Sequence, residues 1–308
     1  MSRMGSSRLW GKFIVLVAVC GWCLSAQAKY AGGLGTEAEP FRISAVSDWQ
    51  ELMATPADWD KHFILTADID LNDVPITPIG RGGEFAGVFD GNNHIIRNAE
   101  VNMQDADDVG LFGYLGRAGQ IKNLGVEDGS VRGTWFVGGL VGENHGAITS
   151  CYSTASVASV FDGGGLVGYN RGVISKCYST SSVSPIGAAG SNLGGLVGFN
   201  WAGGTISNCY STGSVSGGYG WPTGGLVGDN DDATISNCHS AGSVTGYWYV
   251  GGLVGENDAA VESSFWDVNR SGWPTSAGGT PKTTMEMKTR STFTSAGVEF
   301  YWRDGEWD

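Results

Sequence analysis

The chain has 308 residues, 51 of them glycine, and a formal net charge of −13. Glycine far above the ordinary ~7% excludes a conventional helical domain. The acidic balance leaves no electrostatic basis for binding nucleic acid or inserting beside anionic lipid. The charges are scattered, as on a solvated surface.

In chain order, residues 1–28 read as a secretory signal peptide. Arg3, Arg8 and Lys12 precede the apolar run Phe13 to Leu24, and Ala26-Gln27-Ala28 is a small-x-small cleavage site. The run is shorter than the roughly 20 residues that span a bilayer. Cleavage after Ala28 takes the net charge to −16 and predicts a secreted or cell-surface product.

Residues 45–54 read as a short amphipathic helix, with Ser47 and Gln50 as a capping box and Trp49, Leu52 and Met53 on its inner face. Phe63-Ile64-Leu65 and Ile69 to Leu71 read as the first strands. Within Asp68-Ile69-Asp70-Leu71-Asn72-Asp73 the acids alternate, but the EF-hand pattern fails: Asp73 stands where it needs Gly and Ile79 where it needs Glu. A strand with Ile69 and Leu71 inward and the acids in solvent is the better reading.

The centre of the chain is a repeat. One phrase, Gly139-Leu140-Val141-Gly142-Glu143-Asn144, returns at 165–170, 195–200, 225–230 and 252–257. Gly110-Leu111-Phe112-Gly113 reads as a degenerate copy and Gly87-Val88-Phe89-Asp90 as an earlier one. A second phrase follows it: Ile148-Thr149-Ser150-Cys151, Ile174-Ser175-Lys176-Cys177, Ile206-Ser207-Asn208-Cys209 and Ile235-Ser236-Asn237-Cys238. Its outliers are Ile96-Arg97-Asn98-Ala99, Ile121-Lys122-Asn123-Leu124 and Val261-Glu262-Ser263-Ser264. Val131, Val157, Val183, Val215 and Val244 close successive units.

Short β-branched segments bounded by Gly, Asn and Ser are strands joined by tight corners. Ile and Cys can both point inward only if the chain bends between them, where Asn tolerates the left-handed conformation. Asn144, Asn170, Asn200, Asn230 and Asn257 suit a second corner. A period of 26–30 residues is too short for a propeller blade, and the leucine-rich pattern is absent. The predicted fold is all-β: a right-handed parallel β-helix of about seven coils, about three strands per coil, with a short N-terminal capping helix. Thr284 to Thr289 reads as one helical turn covering the far end.

Cys151, Cys177, Cys209 and Cys238 share one position in successive units. Stacking at ~4.8 Å per coil favours a structural ladder of buried thiols over disulfides, which need closer Cβ atoms, and a linear column cannot surround a metal ion. No catalytic, cofactor or metal-binding residues are assigned. H-E-x-x-H and G-x-S-x-G are absent, and His62, His94, His145 and His239 have no evident partner, His239 reading as exposed. Glu143, Asp229 and Glu256 recur at one place, but Tyr169 and Phe199 interrupt them, so the position reads as a tolerant surface site.

The loops between units carry aromatics: Trp135, Phe136, Phe161, Tyr219, Trp221, Tyr247, Trp248 and Tyr249. Stacked coils would align them along one edge, either as local packing over the sheet or as a strip for an extracellular glycan or a host or cell-surface protein.

The G-G-L-V-G-x-N phrase followed by I-S-N-C-Y-S-T-G-S-V resembles the GLUG repeat of large secreted and cell-surface bacterial proteins. The resemblance covers 137–268 closely and 85–133 loosely. Gly32 to Ile43, Phe89 to Ile96, Ser264 to Val268 and Thr283 to Met287 resemble the usual flanks. It implies fold and location; some relatives are adhesin-like, and others are peptidases of immunoglobulin A whose catalytic domain is separate. No sorting motif or apolar tail follows Phe300-Tyr301-Trp302, so attachment to a cell is not implied. The predicted organisation is a signal peptide at 1–28, a lead-in segment and cap at 29–84, β-helix repeats at 85–268 and a C-terminal cap or tail at 269–308. The predicted function is a non-catalytic, adhesin-like scaffold, with a polysaccharide lyase or glycosidase on the same fold as the alternative.

Overall fold

The computed structural model describes residues 29–187 and 192–294, with the backbone of 302–303 and 306–307. Residues 1–28, read above as a signal peptide, and most of the tail beyond 294 lie outside the described residues. Successive units stack as a parallel β-solenoid of about seven turns. Each full coil carries five short strands rather than the three expected. In one coil they are Val137–Gly138, Val141–Asn144, Ala147–Thr149, Tyr152–Ser153 and Ser156–Ser159. Each strand hydrogen-bonds its counterparts one coil above and below, giving parallel sheets of five, six, nine, nine and six strands.

The extra corners come from glycine and from left-handed residues. A Cβ on Gly138, Gly164, Gly194, Gly224 or Gly251 would lie 1.8–2.1 Å from the carbonyl oxygen of the valine three residues on. Only glycine permits that hairpin-tight bend, which splits one apparent strand into two. At the second phrase the chain turns on the residue before each cysteine: Ser150, Lys176, Asn208 and Asn237 all have φ of 53–55°. The bend is where the sequence places it.

These bends let neighbouring residues both face the axis. Leu140, Leu166, Leu196, Leu226 and Leu253 are fully buried, and so are the valines that follow them. The columns Ile121–Ile148–Ile174–Ile206–Ile235 and Val131–Val157–Val183–Val215–Val244 run in register. Burial at about 25 cal/mol per Å² of apolar surface along these columns is the main stabilisation.

Three readings of the early coils are corrected by register. Phe89 pairs with Ile121 and belongs to the second-phrase column, so Gly87–Asp90 is not an early copy of the first phrase. Ile96 pairs with Val126, one column further along the coil. A strand at Phe41–Ile43, unrecognised in the sequence, precedes His62–Leu65 and pairs with it.

Both ends are covered. Helix α1 (Val46–Ala54) buries Trp49 against Phe89 and Phe112. Its N-cap is Ala45, two residues before the expected Ser47: Asp48, not Ser47 with Gln50, closes it, accepting from the backbone N–H groups of Ser44 and Ala45 at 2.8 and 3.1 Å. At the far end lie α2 (Val268–Ser271), α3 (Thr284–Met287) and α4 (Arg290–Thr294). Asp267 caps α2, and Thr283 with Glu286 forms the capping box of α3. Phe293 of α4 packs edge-on against His239 and Phe265. His239, expected in solvent, is therefore buried. It stacks at 5.2 Å on Tyr210, ending a column of rings that begins at Tyr152 and Tyr178. Burial holds its pKa well below the ordinary value.

Candidate functional site

Two buried columns hold the coils in register. Cys151, Cys177, Cys209 and Cys238 are free and buried. Each thiol donates to the carbonyl two residues earlier at 3.1–3.3 Å. Burial pushes the thiols of Cys151 and Cys209 up, so they stay protonated. Ser264 takes the next place, its hydroxyl accepting from the N–H of Cys238 at 3.1 Å.

The second column was misread as a corner. Asn144, Asn170, Asn200 and Asn230 have no positive φ and are fully buried at strand ends. Each donates Nδ2–H to Oδ1 of the next asparagine at 2.7 Å, up to Asn257. Oδ1 of Asn144 and of Asn170 also accepts the N–H two residues on, at 3.0 and 3.3 Å. An amide is the side chain that can donate upward and accept from below in the same column. The exact recurrence of Asn was the available signal.

The outer face beside this column carries the candidate site. The outward register is Tyr114, Glu143, Tyr169, Phe199, Asp229 and Glu256. Two residues further along their strands, on the same face, lie His145, Arg171, Trp201, Asp231 and Asp258, with Trp201 and Asp231 in register. The interstrand loops end on this face. A Cβ on Gly142 would meet the carbonyl carbon of Asp108 at 2.5 Å, and one on Gly168 would meet that of Phe136 at 2.4 Å. Gly198 and Gly228 seat Asp162 and Asn192 in the same way. The last glycine of each first phrase is therefore the platform on which the preceding loop rests, and it brings the loop aromatics beside the strand.

The eight aromatics fall into two groups. Trp135 stacks on Phe161 at 4.1 Å, while Phe136 folds back onto Tyr169 at 4.6 Å as local packing. Tyr219 stacks on Tyr247 at 4.0 Å. Trp221, Tyr247, Trp248 and Tyr249 are exposed, Trp248 to 64%. The loop between the groups includes residues 188–191, which lie outside the described residues. Phe199 and Trp201 extend the surface over the buried Tyr169, with the Arg171 guanidinium 4.9 Å from the Trp201 ring centre. Sequence reading passed over Tyr169 and Phe199 because they sit inside the repeated phrase, where they read as interruptions, and did not single out Trp201 just after it.

Charge on this face is crowded rather than tolerant. Glu143 bonds His145 at 2.5 Å, and His145 stacks on Tyr114 at 5.1 Å. Burial and then the Glu143 carboxylate push Asp108 up to about 7. Burial, then Glu256 and Asp231, push Asp229 up to about 7. Burial pushes Asp162 up to about 6, against a bond from Asn192 at 2.7 Å. His94, also read as unpartnered, bonds Asp68 at 3.1 Å. Asp68 and Asp70 are exposed while Ile69 and Leu71 are buried. Among the described residues no His, Cys, Asp and Glu group is arranged to hold a metal ion, and no helix is long and apolar enough to cross a membrane.

Comparison with known proteins follows the repeat. Residues 133–158, 189–216 and 220–245 match the GLUG motif. The chain is 34% identical over 136 residues to a protein named Halomucin from Haloquadratum walsbyi, covering 41% of this chain and 2% of that one. It is 32% identical over 130 residues to a "Putative Gly-rich membrane protein" of Evansella cellulosilytica, covering 39% of this chain and 15% of that one. It thus spans only a small part of either relative. A solved structure from Bacteroides ovatus, named a "putative immunoglobulin A1 protease", superposes with a TM-score of 0.67 at 20% identity, over 90% of this chain and 94% of that one. At that identity the likeness is one of fold. Three of the units that build the solenoid match the GLUG motif, so the chain carries GLUG-motif repeats.

Proposed function

We propose that this protein is a non-catalytic, adhesin-like binding scaffold displayed outside the cell, and that its exposed aromatic loops take glycan. The observation that carries the reading is the exposure of Trp135, Tyr219, Trp221, Tyr247, Trp248 and Tyr249 on one side of a rigid solenoid. Flat rings held at fixed spacing offer apolar faces to sugar rings at little entropic cost. An exposed apolar surface of this kind on a soluble fold marks an interaction site. The names of the two relatives, Halomucin and a Gly-rich membrane protein, support a surface or secreted location, as does the sequence of 1–28, which reads as a secretory leader. The test is a glycan array with the wild-type chain and a Trp135→Ala/Trp248→Ala variant. Binding by the wild type and its loss in the variant is expected; equal signals refute the reading.

One observation favours the alternative, a carbohydrate-active enzyme. Asp108 and Glu143, from adjacent coils, do converge, with Asp108 pushed up to about 7 and His145 bonded to Glu143. A carboxylic acid hydrogen-bonded to a carboxylate is a coupled pair of the kind general acid–base hydrolysis can use, closer than the ~5–9.5 Å that separates the carboxyls of glycoside hydrolases. Polysaccharide depolymerisation that vanishes in Glu143→Gln would replace the scaffold reading with this one.

A further inference from the structure

The aromatic face ends in uncompensated negative charge. Asp229 and Asp231 lie on one coil and Glu256 and Asp258 on the next, with Asp229 directly in register with Glu256. Trp201, 37% exposed, is the register neighbour of Asp231 on one side. On the other, the loop carrying Tyr247, Trp248 and Tyr249 leans over the strand: a Cβ on Gly255 would meet the Tyr249 carbonyl oxygen at 2.8 Å. No described Lys or Arg forms an ion pair with any of the four carboxylates. The crowding is felt within the face, since Glu256, Asp231 and Asp258 all act with burial to raise Asp229. The same face already accepts a cation on a ring, Arg171 over Trp201.

We propose that the ligand of this face is a polysaccharide bearing free amines, its sugar faces on the aromatic rings and its ammonium groups against Asp231, Glu256 and Asp258. This rests on the glycan-binding reading above and narrows it to a cationic class. Cation–π contacts with Tyr and Trp and Coulomb attraction to the carboxylates of Asp231, Glu256 and Asp258 act on the same ligand. A peptide is less well served. Peptide capture by strand addition needs an open sheet edge, and helices cover both ends of this solenoid.

The test is calorimetric titration of the full chain with two oligosaccharides of equal length, a β-1,4-glucosamine oligomer and its fully N-acetylated form, at pH 6 and at two salt concentrations. Preferential binding of the free-amine oligomer by at least tenfold is expected, weakening as salt rises. Neutralisation in Asp231→Asn/Glu256→Gln/Asp258→Asn should bring its affinity down to that of the acetylated form, with the thermal midpoint no lower than that of the wild type. Trp248→Ala should weaken both oligomers alike. Equal binding of the two oligomers overturns the cationic class and leaves glycan binding standing. Binding of neither, with tight binding of poly-lysine, overturns both readings in favour of a basic protein partner.

Discussion

Replacing Asn200 with Ala removes the centre of the asparagine column. Asn200 is fully buried, accepts from Asn170 and donates to Asn230, both at 2.7 Å. The alanine leaves an N–H of Asn170 and the Oδ1 of Asn230 short of a partner inside the solenoid. Each buried polar group so stranded costs about 1–3 kcal/mol, so the variant should lose about 2–6 kcal/mol. That is a large part of the ~5–15 kcal/mol that holds a typical domain together. Asn257→Ala is the internal control, because Asn257 is half-buried and takes part in one ladder bond rather than two; it should cost about half as much. The double variant Asn170→Ala/Asn200→Ala should cost less than the sum of its single variants by about 0.5–3 kcal/mol, since both remove the same bond. Urea unfolding followed by circular dichroism measures all four. A loss below ~1 kcal/mol for Asn200→Ala, or equal losses at 200 and 257, would refute the ladder as a stabilising element.

Three further outcomes follow. Asp162 has a folded pKa of about 6 against the ordinary 3.8, so the folded state holds its proton more tightly than the unfolded chain, and stability falls as pH rises from about 4 through 6. Asp162→Asn keeps an acceptor for Asn192, and its stability advantage over wild type should grow by at most about 3 kcal/mol between pH 4 and pH 8; a constant difference in unfolding midpoints would contradict this. Lys176 holds φ of 55° where two later coils have Asn, so Lys176→Asn should stabilise by up to about 1 kcal/mol in the same assay, and a loss would contradict the strain assigned to that corner. Gly168→Ala drives a methyl group into the backbone of Phe136, at 2.4 Å, and should cost about 1–3 kcal/mol or more and shift tryptophan fluorescence as the Trp135 loop lifts; unchanged fluorescence would mean the loop does not rest there.

The columns were legible because Leu, Ile, Cys and Val return at intervals that only stacking explains, and because the bend before the cysteine carries Asn, which tolerates a left-handed turn, in two of the four coils. The five-strand cross-section was not. Strands such as Val137–Gly138 and Tyr152–Ser153 are two residues long, too short to show any alternation. Ile96 and Phe89 were placed one column off because an Ile-x-Asn or Gly-x-Phe phrase looks the same in either column, and only backbone pairing separates them. The asparagines were identified and given the wrong task, since one residue type suits both a left-handed corner and an inward amide ladder. The site was half legible. Exposed loop aromatics stood out by composition, but Tyr169, Phe199, Trp201 and the carboxylates beside them become a surface only when coils 26–30 residues apart are laid side by side. His239 reached the core because α4, more than 50 residues downstream, folds over it.

The central claim, that successive units lie one upon another in parallel register, is tested most directly by bridging two exposed positions. Ser156, Ser182 and Ser214 are register neighbours on three consecutive coils. In Ser156→Cys/Ser182→Cys the thiols are one coil apart, ~4.8 Å, and dibromobimane, which fluoresces on joining two nearby thiols, should label the folded chain. In Ser156→Cys/Ser214→Cys they are about twice as far apart and it should not. Equal labelling of the two pairs, or labelling of the second alone, would contradict the solenoid.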